Sequence, residues 1–360
     1  MTPERRAAPG WPGVLLPAPG CFPLALPGGP DERVLHVALR VAGDPQAALE
    51  RALRGIATEY AEVVWTTTPI DRLEREVLEA AARIRPTLVF MQIQTAGIVR
   101  PGLVGQLRAA CAPDALVVQW DGDQHFAPRA PERAWFVELG RDCDASLICN
   151  TAYPPIYAEL GVRHPGYLQI GVDAQLWRPR APAPCTPQIV LLATHYPTEA
   201  AYRRRLDVAQ RLTRAYPGRF AAYGKGWDAG AGVTHRAFLA HEDEAPVYSA
   251  AWAALSISIC NDLPRYTSDR LFRVMAAGAL PLVERFPDHE GLGLDHGVNC
   301  LIWQGWEQLR PLVDEVLRDY YPAAQIRAAA RELALAHTWD ARMGELRAIL
   351  AAVRAGRGAA

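Results

Sequence analysis

The chain has 360 residues, which is enough for two domains that each bury a hydrophobic core. Half of the residues are hydrophobic and 21% are charged, and the net charge of −1 lacks the basic excess that is common in nucleic-acid-binding proteins. The seven cysteines form no C-x-x-C pair. This argues against a zinc or disulfide framework, so we expect no metal site, reduced thiols and a cytoplasmic location.

The N-terminal segment predicts no regular element. Residues 13–26 are apolar, but three prolines interrupt them and the charges upstream suit a signal peptide poorly. No run of about 18 uninterrupted apolar residues occurs in the chain, so we expect no stable membrane insertion. Residues 1–30 are therefore predicted to form an irregular arm.

After this arm, apolar runs typical of buried strands alternate with stretches of helical spacing. The predicted strands are 34–41, 61–65, 87–93, 115–120, 145–150 and 166–170. The predicted helices between them are 45–60, 71–84, 101–110, 133–139 and 157–160. This alternation predicts an α/β domain over residues 31–172, with a parallel sheet covered by helices on both faces.

A proline-rich run within residues 173–187 predicts a linker, after which the same alternation restarts. The next predicted strands are 188–193, 220–223, 255–260, 279–283 and 299–303. The predicted helices are 199–215, 245–254, 268–277, 306–319, 323–336 and 339–355. A second α/β domain is therefore expected over residues 188–336, followed by a C-terminal helical segment at 337–360.

The loop at residues 261–270 is the most informative, because it follows a buried strand and opens a helix. Ligands bind at the carboxyl ends of strands in such sheets, and free N–H groups at a helix start attract phosphate. Thr267 or Ser268 is expected to cap the helix, and Arg270 and Arg273 are expected to contact phosphate. The alternative is an ordinary capped surface helix whose arginines lie in solvent.

Several segments resemble GT-B glycosyltransferases of the family 1/4-like type, in particular the CgeB-like (spore-maturation) branch. The resemblance covers the donor-site helix (268–282), a strand end (223–227), the stretch after the donor site (299–304 and 307–309), the interdomain hinge (169–173) and a C-terminal His-Thr-Trp motif (337–342). The resemblance implies a GT-B fold of two Rossmann-like domains facing a cleft. It also implies that the segment at 337–360 crosses back to the first domain.

The same resemblance implies transfer of a sugar from a nucleotide-diphosphate sugar to a hydroxyl acceptor, with no cofactor. The acceptor is expected on a glycan, a lipid, a protein or a modified nucleic-acid base. The chain departs from the family where many retaining enzymes carry two glutamates, because Arg265 and Arg273 occupy those positions. Donor identity and stereochemistry therefore stay open, and both arginines are candidates for holding diphosphate without a metal.

The catalytic candidates are Asp121, Asp123 and His125, which follow a buried strand of the first half. Either carboxylate or the imidazole is expected to act as a base or to orient the acceptor hydroxyl. The alternative is that Asp123 caps a turn and His125 lies exposed. The Asp-x-Asp triplet also resembles the metal-nucleotide motif of GT-A transferases, but the restart of the strand–helix pattern argues against that single-domain fold.

The remaining donor-binding candidates lie in loops of the second half. They are His195, Arg203, Gly224, Lys225 and Tyr266, and Lys225 is the only lysine of the chain. The glycines beside Lys225 allow a ligand to approach the backbone. The leading hypothesis is a glycosyltransferase; the alternatives are a GT-B-fold nucleotide-sugar epimerase and a non-catalytic nucleotide-sugar-binding protein.

Overall fold

A computed structural model of the chain describes residues 31–41, 46–100, 102–123, 127–195, 202–227, 229–318 and 323–358. The predicted arm at 1–30 lies outside these residues. The described part contains two six-stranded sheets, in each of which all neighbouring strands run parallel. The α/β prediction with two parallel sheets is confirmed.

The first sheet has the strand order β2-β1-β3-β4-β5-β6. Its strands are β1 Glu32–Ala38, β2 Ala57–Val64, β3 Leu88–Met91, β4 Leu116–Asp121, β5 Ala145–Ile148 and β6 Pro165–Tyr167. Its helices are α1 Ala47–Gly55, α2 Ile70–Ile84, α3 Leu103–Ala110, α4 Ala134–Asp142 and α5 Tyr153–Glu159. One hydrophobic core fills the space between the sheet and α2 and α3, and another lies on the opposite face.

The second sheet has the strand order β12-β11-β10-β7-β8-β9. Its strands are β7 Ile189–Leu192, β8 Phe220–Tyr223, β9 His235–Arg236, β10 Ala253–Ser256, β11 Leu280–Glu284 and β12 Leu301–Trp303. The helices are α6 Arg203–Ala215, α7 His241–Ala250, α8 Arg270–Ala276, α9 Trp306–Leu317, α10 Ala323–Ala336 and α11 Trp339–Gly358. The chain winds outward in opposite directions from β7 and β10, which leaves a crevice at their carboxyl ends.

Helix α11 packs on the first sheet although it follows the whole second sheet in the chain. Its buried side chains Trp339, Leu346 and Leu350 share a core with α1 and β1. The guanidinium of Arg354 adds two hydrogen bonds of 2.7 and 2.9 Å to the buried carboxylate of Glu32. Apolar burial and these bonds together hold the helix on the first domain.

Several element boundaries differ from the prediction. Helix α1 ends at Gly55 and β2 already begins at Ala57, because glycine ends helices readily and the β-branched and aromatic residues that follow favour a strand. Helix α7 begins at His241 rather than at 245, since three acidic residues in its first turn favour the helix dipole. Strand β10 correspondingly begins earlier, at Ala253.

Among the described residues, none of the helices combines the length and the apolar content that are needed to cross a bilayer.

Candidate functional site

A cleft of about 460 Å³ opens at the crevice of the second sheet. Its walls come from the ends of β7 and β8, from α7 and from the start of α8, and Val41 contributes from the segment after β1 of the first sheet. The polar lining residues are Thr194, Tyr223, Lys225, His241, Glu244, Tyr248, Asp269, Arg270 and Arg273. Of the predicted donor residues, Gly224, Lys225, Arg270 and Arg273 thus come together in this cleft.

Two arginines meet at the carboxyl ends of β7 and β10, and both are held by backbone carbonyls. Arg270 donates from Nε to the Leu192 carbonyl and from a terminal nitrogen to the Ile257 carbonyl at 3.2 Å. Arg205, which the prediction did not single out, donates to the same Ile257 carbonyl at 2.8 Å and to Thr194. Within the described part of the chain neither forms an ion pair with a carboxylate. Burial, together with the charge of Arg270, lowers the pKa of Arg205 to about 9.

Glycines bring the loop after β8 onto the end of β7. A Cβ on Gly224 would lie 2.2 Å from the Ala193 carbonyl oxygen, and Gly224 has φ +136°. A Cβ on Gly226, which has φ +79°, would lie 1.7 Å from the carbonyl oxygen of His195. Only glycine permits this approach without a backbone shift. The tight loop presents Lys225 to the cleft.

Lys225 and His195 differ in accessibility. The Lys225 side chain is exposed, and its Nζ lies 4.7 Å from the ring centroid of Phe238, another lining residue of the cleft. The His195 ring is buried and stacks on Trp227 with centroids 5.0 Å apart, and its backbone N–H donates to the Lys225 carbonyl. Lys225 is therefore available to a ligand, whereas the contacts of His195 fix the loop.

Arg273 belongs to a compact charged cluster on one wall of the cleft. Its guanidinium pairs with Asp269 one turn earlier on α8 and with Glu244 of α7, at 3.3 Å from the latter. The guanidinium carbon also lies 4.3 Å from the ring centroid of Trp177 in the linker. Sequence reasoning did not identify Asp269 or Glu244, although the acidic run at 242–244 was a visible signal for the latter.

Helix α8 begins later than predicted. Asp269, not Thr267 or Ser268, occupies its N-cap position, and the Asp269 carboxylate turns to Arg273 instead of capping the helix. The backbone N–H of Ser268 donates to the Ser258 hydroxyl at 3.0 Å, and Thr267 is buried. The prediction of a Thr267 or Ser268 cap is wrong because tertiary contacts already engage this segment.

Arg265 and Tyr266 point away from the cleft and join the two domains. The Arg265 side chain pairs with Asp288 at 2.6 Å, and its carbonyl accepts a 2.7 Å hydrogen bond from Gln169 of the first domain. The Tyr266 ring is buried with Leu263 and Cys149, which follows β5. Arg203 is exposed at the first position of α6 and does not line the cleft.

The first-domain candidates occupy different environments. Asp121 is buried at the end of β4, where its carboxylate pairs with Arg133 at 2.5 Å and accepts the Asp123 backbone N–H at 2.8 Å. Asp123 is half-buried. Burial, together with the charges of Asp262 and Asp123, raises the pKa of Cys260 in the second domain to about 11, so Asp123 lies near that residue. His125 lies outside the described residues.

No group of three or more His, Cys, Asp or Glu side chains with the arrangement of a metal site occurs among the described residues. The charged residues that line the cleft are Lys225 after β8, Glu244 of α7, Asp269 before α8, and Arg270 and Arg273 of α8.

Comparisons with known proteins agree with this architecture. Residues 203–348 match a protein-family model described as "Glycosyl transferase-like". No curated protein matches the chain significantly. Among solved structures, a glycosyltransferase from Rickettsia africae has a TM-score of 0.62 at 11% identity, and the match covers 89% of this chain and 98% of that one.

Two further structures share the fold. HepE of Anabaena, solved in complex with UDP and glucose, has a TM-score of 0.58 at 12% identity, covering 89% of this chain and 100% of that one. TarM has a TM-score of 0.51 at 10% identity, and the match covers 76% of this chain but only 58% of TarM. The chain therefore has the GT-B fold of two Rossmann-like domains, and its residues 203–348 match a glycosyl transferase-like family model.

Proposed function

We propose that the chain transfers a sugar from a nucleotide-diphosphate sugar to a hydroxyl acceptor, and that it holds the diphosphate with side chains instead of a metal ion. The observation that carries this proposal is the group of cations at the cleft. Arg270 and Lys225 line the cleft, and Arg205 lies behind Arg270 on a shared carbonyl. An anionic ligand would relieve the repulsion between the two guanidinium groups, whose hydrogen-bond partners among the described residues are neutral.

The same groups suit the chemistry of the transfer step. When the glycosidic bond to the diphosphate breaks, negative charge accumulates on the leaving phosphate oxygen. Fixed cations in a cleft with little water stabilise that charge more than bulk solvent does. Arg270 is held in place by two backbone carbonyls, so it needs little reorganisation during the reaction.

On the acceptor side, Asp123 is the proposed base. It is half-buried at the edge of the first sheet, facing the second domain, whereas Asp121 is engaged with Arg133. Asp121 would then act through the backbone, because its carboxylate accepts the Asp123 N–H and orients that residue. His125 remains the alternative base.

Further expectations are part of this proposal. The acceptor is a glycan, a lipid, a protein or a modified nucleic-acid base, and the protein acts in the cytoplasm as a member of the CgeB-like branch. HepE, a structure of the same fold, was solved with UDP-glucose. A UDP-sugar is therefore the first donor to test.

A thermal-shift panel without added metal tests donor binding. At about 100 times its dissociation constant, the correct nucleotide sugar adds about 2.7 kcal/mol of stability, which is a rise in Tm of several degrees. The Arg270→Ala variant should lose this rise. Arg327→Ala is the matched control, because Arg327 also donates to backbone carbonyls but lies away from the cleft. An undiminished thermal shift in Arg270→Ala would show that the donor binds at another site.

Product analysis then separates the function from its alternatives. Incubation with donor alone should give only slow hydrolysis, whereas a nucleotide-sugar epimerase would convert the sugar. With an acceptor present, Asp123→Asn should abolish transfer while leaving the thermal shift intact. A protein that binds the donor but never turns it over, before or after this substitution, would be the non-catalytic binding protein.

A further inference from the structure

Acidic groups line the cleft beside its cationic ones, and these acidic groups have no role in holding a diphosphate. Glu244 of α7 and Asp269 before α8 both line it, and Arg273 is the one guanidinium shared between them. Two carboxylates facing one arginine leave this wall unfavourable for phosphate. A ligand part that lies here must be neutral and must supply hydrogen-bond donors.

Glu244 has acceptor capacity to spare. Both hydrogen bonds to its Oε2, from Trp177 and from Arg273, are 3.3 Å long, which exceeds the usual length of bonds to an ionised carboxylate. The imidazole Nε2 of His241 lies 3.9 Å from Oε1, which is beyond hydrogen-bond distance. Because a carboxylate offers about four acceptor positions, the two on Oε1 remain open to ligand hydroxyl groups.

Tyr248 gives an independent indication of a missing partner. It lies one turn after Glu244 on α7 and also lines the cleft, yet its side chain is 1% exposed. Its hydroxyl has no hydrogen-bond partner in the described part of the structure. A buried hydroxyl without a partner is costly, and native proteins rarely retain one without a use for it.

We propose that Glu244 and Tyr248 form a binding site for a vicinal diol, in which a ligand hydroxyl donates to the Glu244 carboxylate and accepts from the Tyr248 phenol. Burial raises the pKa of Tyr248, so the phenol keeps its proton and can donate. The contact needs a small shift of the cleft wall around the buried hydroxyl. Arg273 is then a positioning residue, since it holds the Glu244 carboxylate against α8.

This inference rests on the proposed function, which supplies two sources of a vicinal diol: the ribose of the nucleotide and the transferred sugar. Two arms of one experiment distinguish them. Calorimetry would compare UDP, GDP, ADP and CDP with their 2′-deoxy counterparts, and then compare the best nucleoside diphosphate with its sugar conjugates. If ribose is the diol, the wild type should prefer the ribonucleotide by about tenfold or more.

The test variant is Glu244→Gln, which should reduce that preference at least about fivefold. Its matched control is Glu345→Gln, because Glu345 is similarly buried and pairs with the buried Arg342 outside the cleft. If the transferred sugar supplies the diol, the wild type should bind the nucleotide sugar more tightly than the nucleoside diphosphate. The Glu244→Gln variant should lose this difference in affinity. Unchanged ratios in both arms would overturn the proposal.

Tyr248→Phe provides a second, independent readout. Without ligand, this variant should be as stable as the wild type or more so, since it removes a hydroxyl that has no partner. Tyr167→Phe is the matched control, because its hydroxyl is also buried without a described partner but lies outside the cleft. Tyr248→Phe alone should weaken the diol preference, and a lower Tm without ligand would contradict the proposal.

The two levels of failure are distinguishable. If no nucleotide binds the wild type, the proposed function and this inference both fall. If a nucleotide binds but Glu244→Gln and Tyr248→Phe keep its diol preference unchanged, only the diol site is refuted.

Discussion

A buried histidine at the start of the C-terminal segment predicts a specific loss of stability in mild acid. His337 is 0% exposed, and its ring stacks on Phe272 of α8 with centroids 4.3 Å apart. Its Nε2 donates to the Leu292 carbonyl at 3.0 Å, and its Nδ1 accepts a hydrogen bond from Arg342. The folded protein therefore holds His337 neutral.

The direction of the pH effect follows from this arrangement. Burial and the neighbouring charge of Arg342 lower the pKa of His337 well below its ordinary value near 6.5. Below pH 6.5 the unfolded chain takes up a proton that the folded chain does not, so stability falls as pH decreases. The loss from this residue is at most about 1.4 kcal/mol at pH 5.5 and about 2 kcal/mol at pH 5.0, the limits for a ring that stays neutral throughout.

The assay is urea unfolding followed by circular dichroism at several pH values between 7.5 and 5.0, on the wild type and on His337→Gln. The variant is less stable at neutral pH, but the difference between the two proteins should shrink by the amounts above as the pH falls. His235→Gln, which replaces an exposed histidine, is the control and should track the wild type. A constant gap between wild type and His337→Gln would refute the reasoning.

Three further substitutions test the packing of the domains. Gly226→Ala should lower the free energy of unfolding, measured by chemical denaturation, by at least about 2 kcal/mol, because the new Cβ would meet the His195 carbonyl. Gly218→Ala is the control: Gly218 also has a positive φ but has open space around it, so this variant should lose only about 1 kcal/mol. Burial raises the pKa of Glu62, but bonds from His36 and Arg40 outweigh it and hold that pKa at about 2. Between pH 4.5 and 2 the free energy of unfolding of the wild type should therefore fall by about 2 kcal/mol more than that of Glu62→Gln. Parallel plots of unfolding free energy against pH for the two proteins would contradict this. Trp339→Ala should cost about 3–5 kcal/mol, since the ring is buried against Trp120, and a loss below 1 kcal/mol would contradict that packing.

The alternation of apolar runs and helical stretches was sufficient to predict two parallel sheets, because most of the strands are fully buried and form continuous apolar runs. Local patterns also singled out Lys225, which follows β8, and Arg270, which begins α8, and both residues line the cleft. The start of α7 was missed because Pro246 resembles a helix start, although the acidic turn before it is already helical.

The side-chain partners could not be read from the sequence. Arg265 pairs with Asp288, Arg273 with Glu244, and Asp121 with Arg133, and each partner lies 12 or more residues away. Such pairs depend on how the elements pack in three dimensions, which no local spacing encodes. Arg205 was passed over for the same reason, because its burial depends on the packing of α6 against the ends of β7 and β10.

The placement of α11 has a consequence for biosynthesis. The ribosome synthesises the residues of both sheets before this helix emerges. During that time the first domain lacks the segment that packs beside α1 on its sheet. Until then, the apolar surface that receives Trp339 and Leu346 faces solvent and is open to chaperones or to wrong partners. Residues 31–170 expressed alone should consequently be prone to aggregation, and a synthetic peptide spanning 337–358 supplied in trans should restore their solubility.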